Sequence, residues 1–197
     1  MKATTLICVV ALLVCPATLA SANVVYTPVD VTVSGNGSIK FDINHDGITD
    51  FTIMASDGYG QCYFTHPFYG LDSLFPATGN AVVTSNGYVA ALPSGTVVGS
   101  GDSFQTTQTT IASFAFGAGF PPCFSSFHGW CHGTITSKTC SATAYMGLSF
   151  KINGQIHYGW AYLSIYAAVG SFTTTLKGFG YETVAGRAIN TGQTSGY

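Results

Sequence analysis

The stretch that decides the fold runs Tyr145-Met146-Gly147-Leu148-Ser149-Phe150-Lys151-Ile152, turns through Asn153-Gly154-Gln155, and resumes at His157-Tyr158-Gly159-Trp160-Ala161-Tyr162-Leu163-Ser164-Ile165-Tyr166. Apolar side chains fall at every second position on both sides of Asn153-Gly154. That period of two belongs to a strand, and an Asn-Gly pair between two such runs is the strongest short-range hairpin signal.

Outward from this hairpin the same period recurs. Ser38 to Ile43 alternates with Ile39, Phe41 and Ile43 on one face, and Phe51-Thr52-Ile53 repeats the pattern after a turn. Asn80 to Ala91 gives a strand, an Asn86-Gly87 turn and a second short element. Phe172 to Leu176 forms a last strand leading into Gly178-Phe179-Gly180-Tyr181. Helix-period patterning is nearly absent. Two stretches are less regular: Ser94 to Gln108, a Ser/Thr/Gly-rich surface excursion, and Gly117 to Ala142, a long loop pinned by disulfides rather than by core. Seven or more short strands punctuated by turns predict an all-β fold, an antiparallel β-sandwich or jelly roll with a disulfide-pinned loop.

Composition agrees. Charged residues make up only 7% of the chain, against 24 glycines and 14% aromatics, so Ser, Thr, Asn, Gln and Gly must supply the surface. A helical bundle needs Lys and Glu on its exposed faces.

The N-terminus has the form of an export signal. Lys2 is a short positive region, Leu6 to Cys15 is apolar, Pro16 breaks the run, and Ala20-Ser21-Ala22 offers the small residues a signal peptidase reads. Cleavage is expected after Ala22, giving a signal peptide at 1–22 and a single domain at 23–197. The apolar run is too short for a membrane span, which needs about 20 residues, so membrane insertion is not expected. The mature chain holds five Lys/Arg and eight Asp/Glu. That balance excludes the basic surface on which nucleic-acid binding depends.

Cys8 and Cys15 leave with the signal, and Cys62, Cys123, Cys131 and Cys140 remain. In an exported chain an even count predicts disulfides, and four cysteines allow three pairings. The short separation of Cys131 and Cys140 suits a bridged hairpin, which leaves Cys62 with Cys123. A zinc site from Cys123, His128, Cys131, His132 and Cys140 is the rival, but its spacing is poor and its thiolates would be lost to oxidation outside the cell.

The sharpest chemical signal is Asp42-Ile43-Asn44-His45-Asp46-Gly47-Ile48-Thr49-Asp50. Oxygen side chains stand at positions 1, 3, 5 and 9, a glycine at 6 allows the bend, and the carbonyl of Ile48 at 7 adds a donor. Asp42, Asn44, Asp46, Ile48 and Asp50 therefore form a candidate calcium loop, with calcium structural rather than catalytic. Position 12 is Ile53 rather than a bidentate Glu, so a further ligand must come from elsewhere, Asp30 and Asp57 being candidate donors. A solvated turn capping a hairpin is the alternative.

Catalytic signals are lacking. Glu182 is the only glutamate, and no nucleophile elbow, zinc-protease helix or phosphate-binding glycine loop occurs. No enzyme is expected. The alternation over His157 to Tyr166 places Tyr158, Trp160 and Tyr162 on one face. Exposed, they would form a stacking row for sugar rings; buried, they are core.

Three pieces together resemble a group of secreted bacterial proteins that often carry a PEP-CTERM sorting tail. These are the Asp42–Asp50 loop followed by Phe51, the Tyr145–Phe150 block with Gly154-Gln155-Ile156-His157-Tyr158-Gly159-Trp160, and the close Leu176-Lys177-Gly178-Phe179-Gly180-Tyr181-Glu182-Thr183. The resemblance spans most of the mature chain in order. It implies export, a β fold and calcium, and it is silent on substrate. The sequence departs from the group in closing at Gly196-Tyr197 without a sorting tail and in carrying the cysteine-rich stretch. The expected function is thus a secreted, structural or surface-associated β-sandwich domain with a calcium loop. The alternatives are a carbohydrate-binding or adhesion module that meets an extracellular glycan or cell-surface component, and then a polysaccharide hydrolase.

Overall fold

The Asn153-Gly154 pair turns the hairpin: both residues have positive φ, 50° and 79°, and Ile152 pairs with Gln155 across them. Asn86-Gly87 repeats the device with φ of 52° and 81°. Two consecutive positive φ values match the right-handed twist of the flanking strands.

The computed structural model describes residues 23–61, 66–116, 126–132 and 139–196. The expected signal segment, Cys62 and Cys123 lie outside them. Every element described is a strand. In chain order these are β1 (Val24–Ser34), β2 (Gly37–Phe41), β3 (Phe51–Tyr59), β4 (Phe68–Pro76), β5 (Ala81–Ser85), β6 (Tyr88–Val89) and β7 (Val97–Val98). There follow β8 (Phe104–Gln105), β9 (Thr109–Phe116), β10 (Ser126–Gly129), β11 (Thr139–Ile152), β12 (Gln155–Ala168), β13 (Ser171–Glu182) and β14 (Ile189–Asn190).

Among the described residues the strands pair antiparallel, in two main sheets. The larger runs β1-β13-β12-β11-β5-β6 with β8 also on β5, and the smaller runs β10-β9-β4-β3-β2. Alternation explains why they stack. Ile39, Phe41, Phe51, Ile53, Leu74, Ile111 and Phe114 from the smaller sheet share one buried cluster with Met146, Leu148, Leu163, Ile165 and Leu176 from the larger. Phe41 lies 5.4 Å from Phe179 and Phe114 lies 5.0 Å from Phe172, ring centre to ring centre, so aromatic pairs join the sheets directly.

The last long strand corrects an expectation. It does not end near Leu176 but continues to Glu182, and its alternation changes parity on the way. Phe172 and Leu176 face the core at even positions, Phe179 and Tyr181 at odd ones. The register shifts between Tyr162 and Leu163, whose partners are Gly178 and Leu176, so Lys177 is an extra residue. A bulge of this kind flips every later side chain and here keeps the aromatic residues inward.

The outer face of the larger sheet is covered too. The two-stranded ribbon β7–β14 packs on β12 and closes a second cluster of Val24, Val83, Val98, Tyr158, Trp160 and Ile189. The Ser94–Gln108 stretch is therefore only partly a surface excursion, since Val98 is fully buried. Gly117–Ala142 is likewise more than loop. Within its described part β10 pairs with β9, and Trp130 and Cys131 are buried in the main core. Among the described residues, no helix is long and apolar enough to cross a membrane.

Candidate functional site

The acidic loop is the connection between β2 and β3, and its shape follows from local hydrogen bonds. Asp42 accepts from the backbone N–H of Asp46 (3.2 Å) and of Gly47 (2.7 Å) through its two oxygens. Asn44 Oδ1 accepts from the same Asp46 N–H at 3.2 Å, and Asp46 Oδ1 accepts from Ile48 N–H at 2.8 Å. The Asn44 amide donates to Asp46 Oδ2 at 3.0 Å. His45 and Gly47 adopt positive φ of 60° and 87°, which winds the chain tightly enough for these short-range bonds. His45 Nε2 meets Thr27 Oγ1 at 2.7 Å, so the loop is tied to β1 of the other sheet.

The donor set splits in two. Asp42 and Asn44 are half-buried, Asp46 is exposed, and Asp50 is buried. Asp50 faces inward. Its Oδ2 accepts from Ile43 N–H at 2.9 Å and its Oδ1 from the Asn80 amide at 2.9 Å. Asn80 Oδ1 in turn accepts from Lys151 N–H on β11 at 3.3 Å. A relay thus runs from the loop through Asp50 and Asn80 to the opposite sheet. Burial pushes the Asp50 pKa up; the Ile43 and Asn80 bonds oppose this, and the nearby charges of Asp42 and Asp46 add to it.

The fit to a hard cation follows from this division. An ionised carboxylate has roughly four acceptor sites, and Asp42 and Asp46 each spend two of theirs inside the loop. Oxygen lone pairs of Asp42, Asn44 and Asp46 and the Ile48 carbonyl therefore remain for an ion, as an oxygen-donor site requires. Asp50 differs in place rather than in count: it is buried and turned inward onto Ile43 N–H and the Asn80 amide, away from the exposed side of the loop. Among the described residues no group of three or more His, Cys, Asp or Glu side chains is arranged to hold a metal. Asp57 is not a further donor. It binds Asn36 at the far end of the β2–β3 pair, and Asp30 is exposed on β1.

The aromatic row is core rather than platform. Tyr158 and Trp160 are 6% and 2% exposed, which leaves neither ring a face for a sugar. Trp160 is stacked on Tyr26, meets Tyr145 edge-on and donates its indole N–H to Gln193 O at 3.2 Å; Tyr158 stacks on Phe104. Tyr162 is half-buried against Tyr145, with ring centres 4.4 Å apart. Alternation had correctly put the three on one face, but could not show that the β7–β14 ribbon covers it.

Cys131 and Cys140 form the expected disulfide, with Cα atoms 5.6 Å apart. Two of the thiols a zinc site would use are thereby consumed. Beside the bridge lies a groove of about 520 Å³ lined by Tyr88, Phe127, His128, Trp130 and His132 among others, in which the Tyr88 and His128 rings are parallel. The sequence reading had not seen this groove, because β6 and β10 are far apart along the chain.

The three stretches behind the family resemblance converge. A Cβ on Gly159 would stand 2.9 Å from Ile43 Cδ1 of the loop and 2.7 Å from the carbonyl oxygen of Gly180, so only glycine fits where they meet. His157 Nδ1 lies 3.0 Å from Glu182 O, and Tyr181 has its pKa raised by burial and then by the charge of Asp42.

Two buried carboxyls escaped the sequence reading. Asp72 on β4 is completely buried, accepts from the Thr174 hydroxyl of β13 at 2.5 Å through Oδ2, and among the described residues has no hydrogen-bond partner at Oδ1. Burial pushes its pKa up to about 7 against the opposing pull of that Thr174 bond. Glu182 is 1% exposed at the end of β13. The only available signal was position: Asp72 interrupts an apolar strand, and Glu182 closes one. No protein-family model, curated protein or solved structure matches this chain.

Proposed function

We propose that this chain is an exported β-sandwich domain with a structural or surface-associated role outside the cytoplasm, and that its Asp42–Asp50 loop is a calcium site serving that role. The observation that carries the reading is the loop's scaffold of backbone donors, which gathers Asp42, Asn44 and Asp46 with their remaining lone pairs unspent. Asp42, Asn44, Asp46 and the Ile48 carbonyl would hold the ion, and Asp50 fixes the base of the loop. A bound calcium supplies positive charge that offsets the repulsion among the acids. Because His45 reaches β1 and Asp50 reaches Asn80, a loop stiffened by calcium clamps both sheets at one end.

Its partner belongs to the extracellular or cell-surface milieu. The glycan reading does not rest on Tyr158 and Trp160, whose faces are covered. No catalytic role is assigned to the loop.

A ligand that binds only the folded state stabilises it by about 2.7 kcal/mol at a hundredfold excess over Kd. For a chain of this size that is a rise in Tm of roughly 5–10 °C. Thermal melts in calcium and in chelator are expected to differ by this amount in the natural chain and to coincide in the Asp42→Ala, Asp46→Ala double variant. Identical melts for the natural chain would remove the calcium reading.

A further inference from the structure

We infer that cleavage after Ala22 converts the backbone nitrogen of Asn23 into an α-ammonium group held by the buried carboxylate of Glu182, so that removal of the leader completes the seam between β1 and β13. The inference rests on the export reading above and assigns it a structural consequence.

Asn23 is already bound where such a group must lie. Its N–H donates to Glu182 Oε1 at 3.2 Å, its carbonyl accepts from Thr183 N–H at 3.0 Å, and the next residue, Val24, pairs with Glu182 itself. Glu182 Oε1 also accepts from Val184 N–H at 2.9 Å. Oε2 is different. It is buried and, among the described residues, has no hydrogen-bond partner; Arg187 Nε, on a side chain 43% exposed, approaches it at 3.9 Å. A buried carboxylate with half its acceptor capacity unspent is costly.

Hydrolysis of the Ala22–Asn23 bond supplies further donors. Water, with a signal peptidase as catalyst, adds its hydroxyl to the Ala22 carbonyl carbon and a hydrogen to the Asn23 nitrogen, and the freed amine takes a further proton near neutral pH. One N–H becomes three. One donor keeps the bond to Oε1 and a second turns to Oε2. A positive charge also arrives at an exposed residue beside a buried negative one, and the hydrogen bonds between them become charge-assisted. Of the neighbouring titratable or charged groups, Arg187 approaches the carboxylate itself, the His157 ring of β12 meets the Glu182 backbone carbonyl, and the Tyr181 ring lies with His157 on the opposite face of β13.

The test uses the full chain, expressed with its own leader in an exporting bacterial host. Intact mass is expected to place the first residue of the recovered protein at Asn23. The rate of α-amine acetylation, followed on the N-terminal peptide across pH in the presence of chelator, is expected to titrate at least one unit above the free range of about 7.7–8.0, which makes acetylation near neutral pH at least about tenfold slower than in a free peptide. Glu182→Gln is expected to return that rate to the free value. If Glu182→Gln does not fold, the profile of the natural chain decides alone. An α-amine that titrates in the free range overturns the inference, as does a recovered protein beginning at another residue, which leaves export itself standing. A chain that is not exported overturns both. Chelator separates this result from the calcium site, so either can fail without the other.

Discussion

In the Asp42–Asp50 loop, acids face water and a ring of backbone N–H donors; at Asp72, a single carboxyl sits between two sheets with one threonine hydroxyl for company. The loop can carry negative charge because its own backbone solvates it, and because Asp42 and Asp46 reach solvent. Asp72 has neither support, and burial leaves its neutral form favoured up to about pH 7. The same functional group is therefore a place to gather charge in one region and a place to avoid it in the other. Asp50 stands between the two extremes, buried like Asp72 but supplied with donors like the loop.

The largest expected effect lies at the core end of this contrast. The folded pKa of Asp72 is above its unfolded value of 3.8, so between those values the native state holds a proton that the unfolded chain has released. Stability from this group is complete below about pH 3.8, falls as pH rises, and is gone above about 7. The difference is on the order of 4 kcal/mol. Urea unfolding of the natural chain and of Asp72→Asn across pH 4–8 isolates it, because other groups cancel between the two. The natural chain is expected to lose stability relative to the variant as pH rises. A constant difference would show that Asp72 is not an isolated buried acid, and the contrast with the loop would fall.

Why the sequence revealed one of these regions and hid the other is a matter of range. The loop's donors follow one another two residues apart, and its geometry is set by bonds that span only two to seven residues, so spacing alone exposed it. Apolar runs with an unbroken period of two, such as Ile39-Phe41-Ile43, which carries β2 into the loop, and Ala161-Leu163-Ile165 in β12, were equally legible. The end of β13 was not, because the bulge at Lys177 breaks the period that identifies a strand. Asp72 and Thr174 meet across 102 residues of sequence, and Asn80 reaches Asp50 across 30; no local pattern records either meeting. Nor does alternation tell which face of a sheet will be covered twice. Tyr158 and Trp160 are buried by β7 and β14, elements of two residues each, too short to leave a periodic signal.

Asp50 sharpens the comparison at an intermediate size. Asp50→Ala removes the acceptor for Ile43 N–H and for the Asn80 amide, both in buried positions. The stranded Ile43 N–H costs about 1–3 kcal/mol, and the Asn80 amide, left with the Asp50 carbonyl at 3.3 Å, loses its shorter bond at about 0.5–1.5 kcal/mol, so a loss of roughly 2–4 kcal/mol is expected in chelator at neutral pH, measured by urea unfolding. A loss below about 1 kcal/mol would mean that water replaces the carboxylate and that the relay through Asn80 to Lys151 does not brace the sheets.

The smallest expected effect, at Asp46, separates a gathered charge from a structural one. Asp46 is exposed, and its contacts are to Ile48 N–H and the Asn44 amide within the same loop. In Asp46→Asn the side-chain carbonyl can still accept from Ile48, so stability in chelator is expected to stay within about 0.5 kcal/mol of the natural chain. Calcium changes the outcome. The amide oxygen is a neutral donor in place of an anionic one, and affinity in such sites follows the number of charged ligands. The calcium-dependent rise in Tm is therefore expected to shrink to less than half while the melt in chelator does not move. If instead the chelator melt fell and the calcium shift survived, Asp46 would be holding the turn rather than the ion, and the loop would belong with Asp50 as a brace.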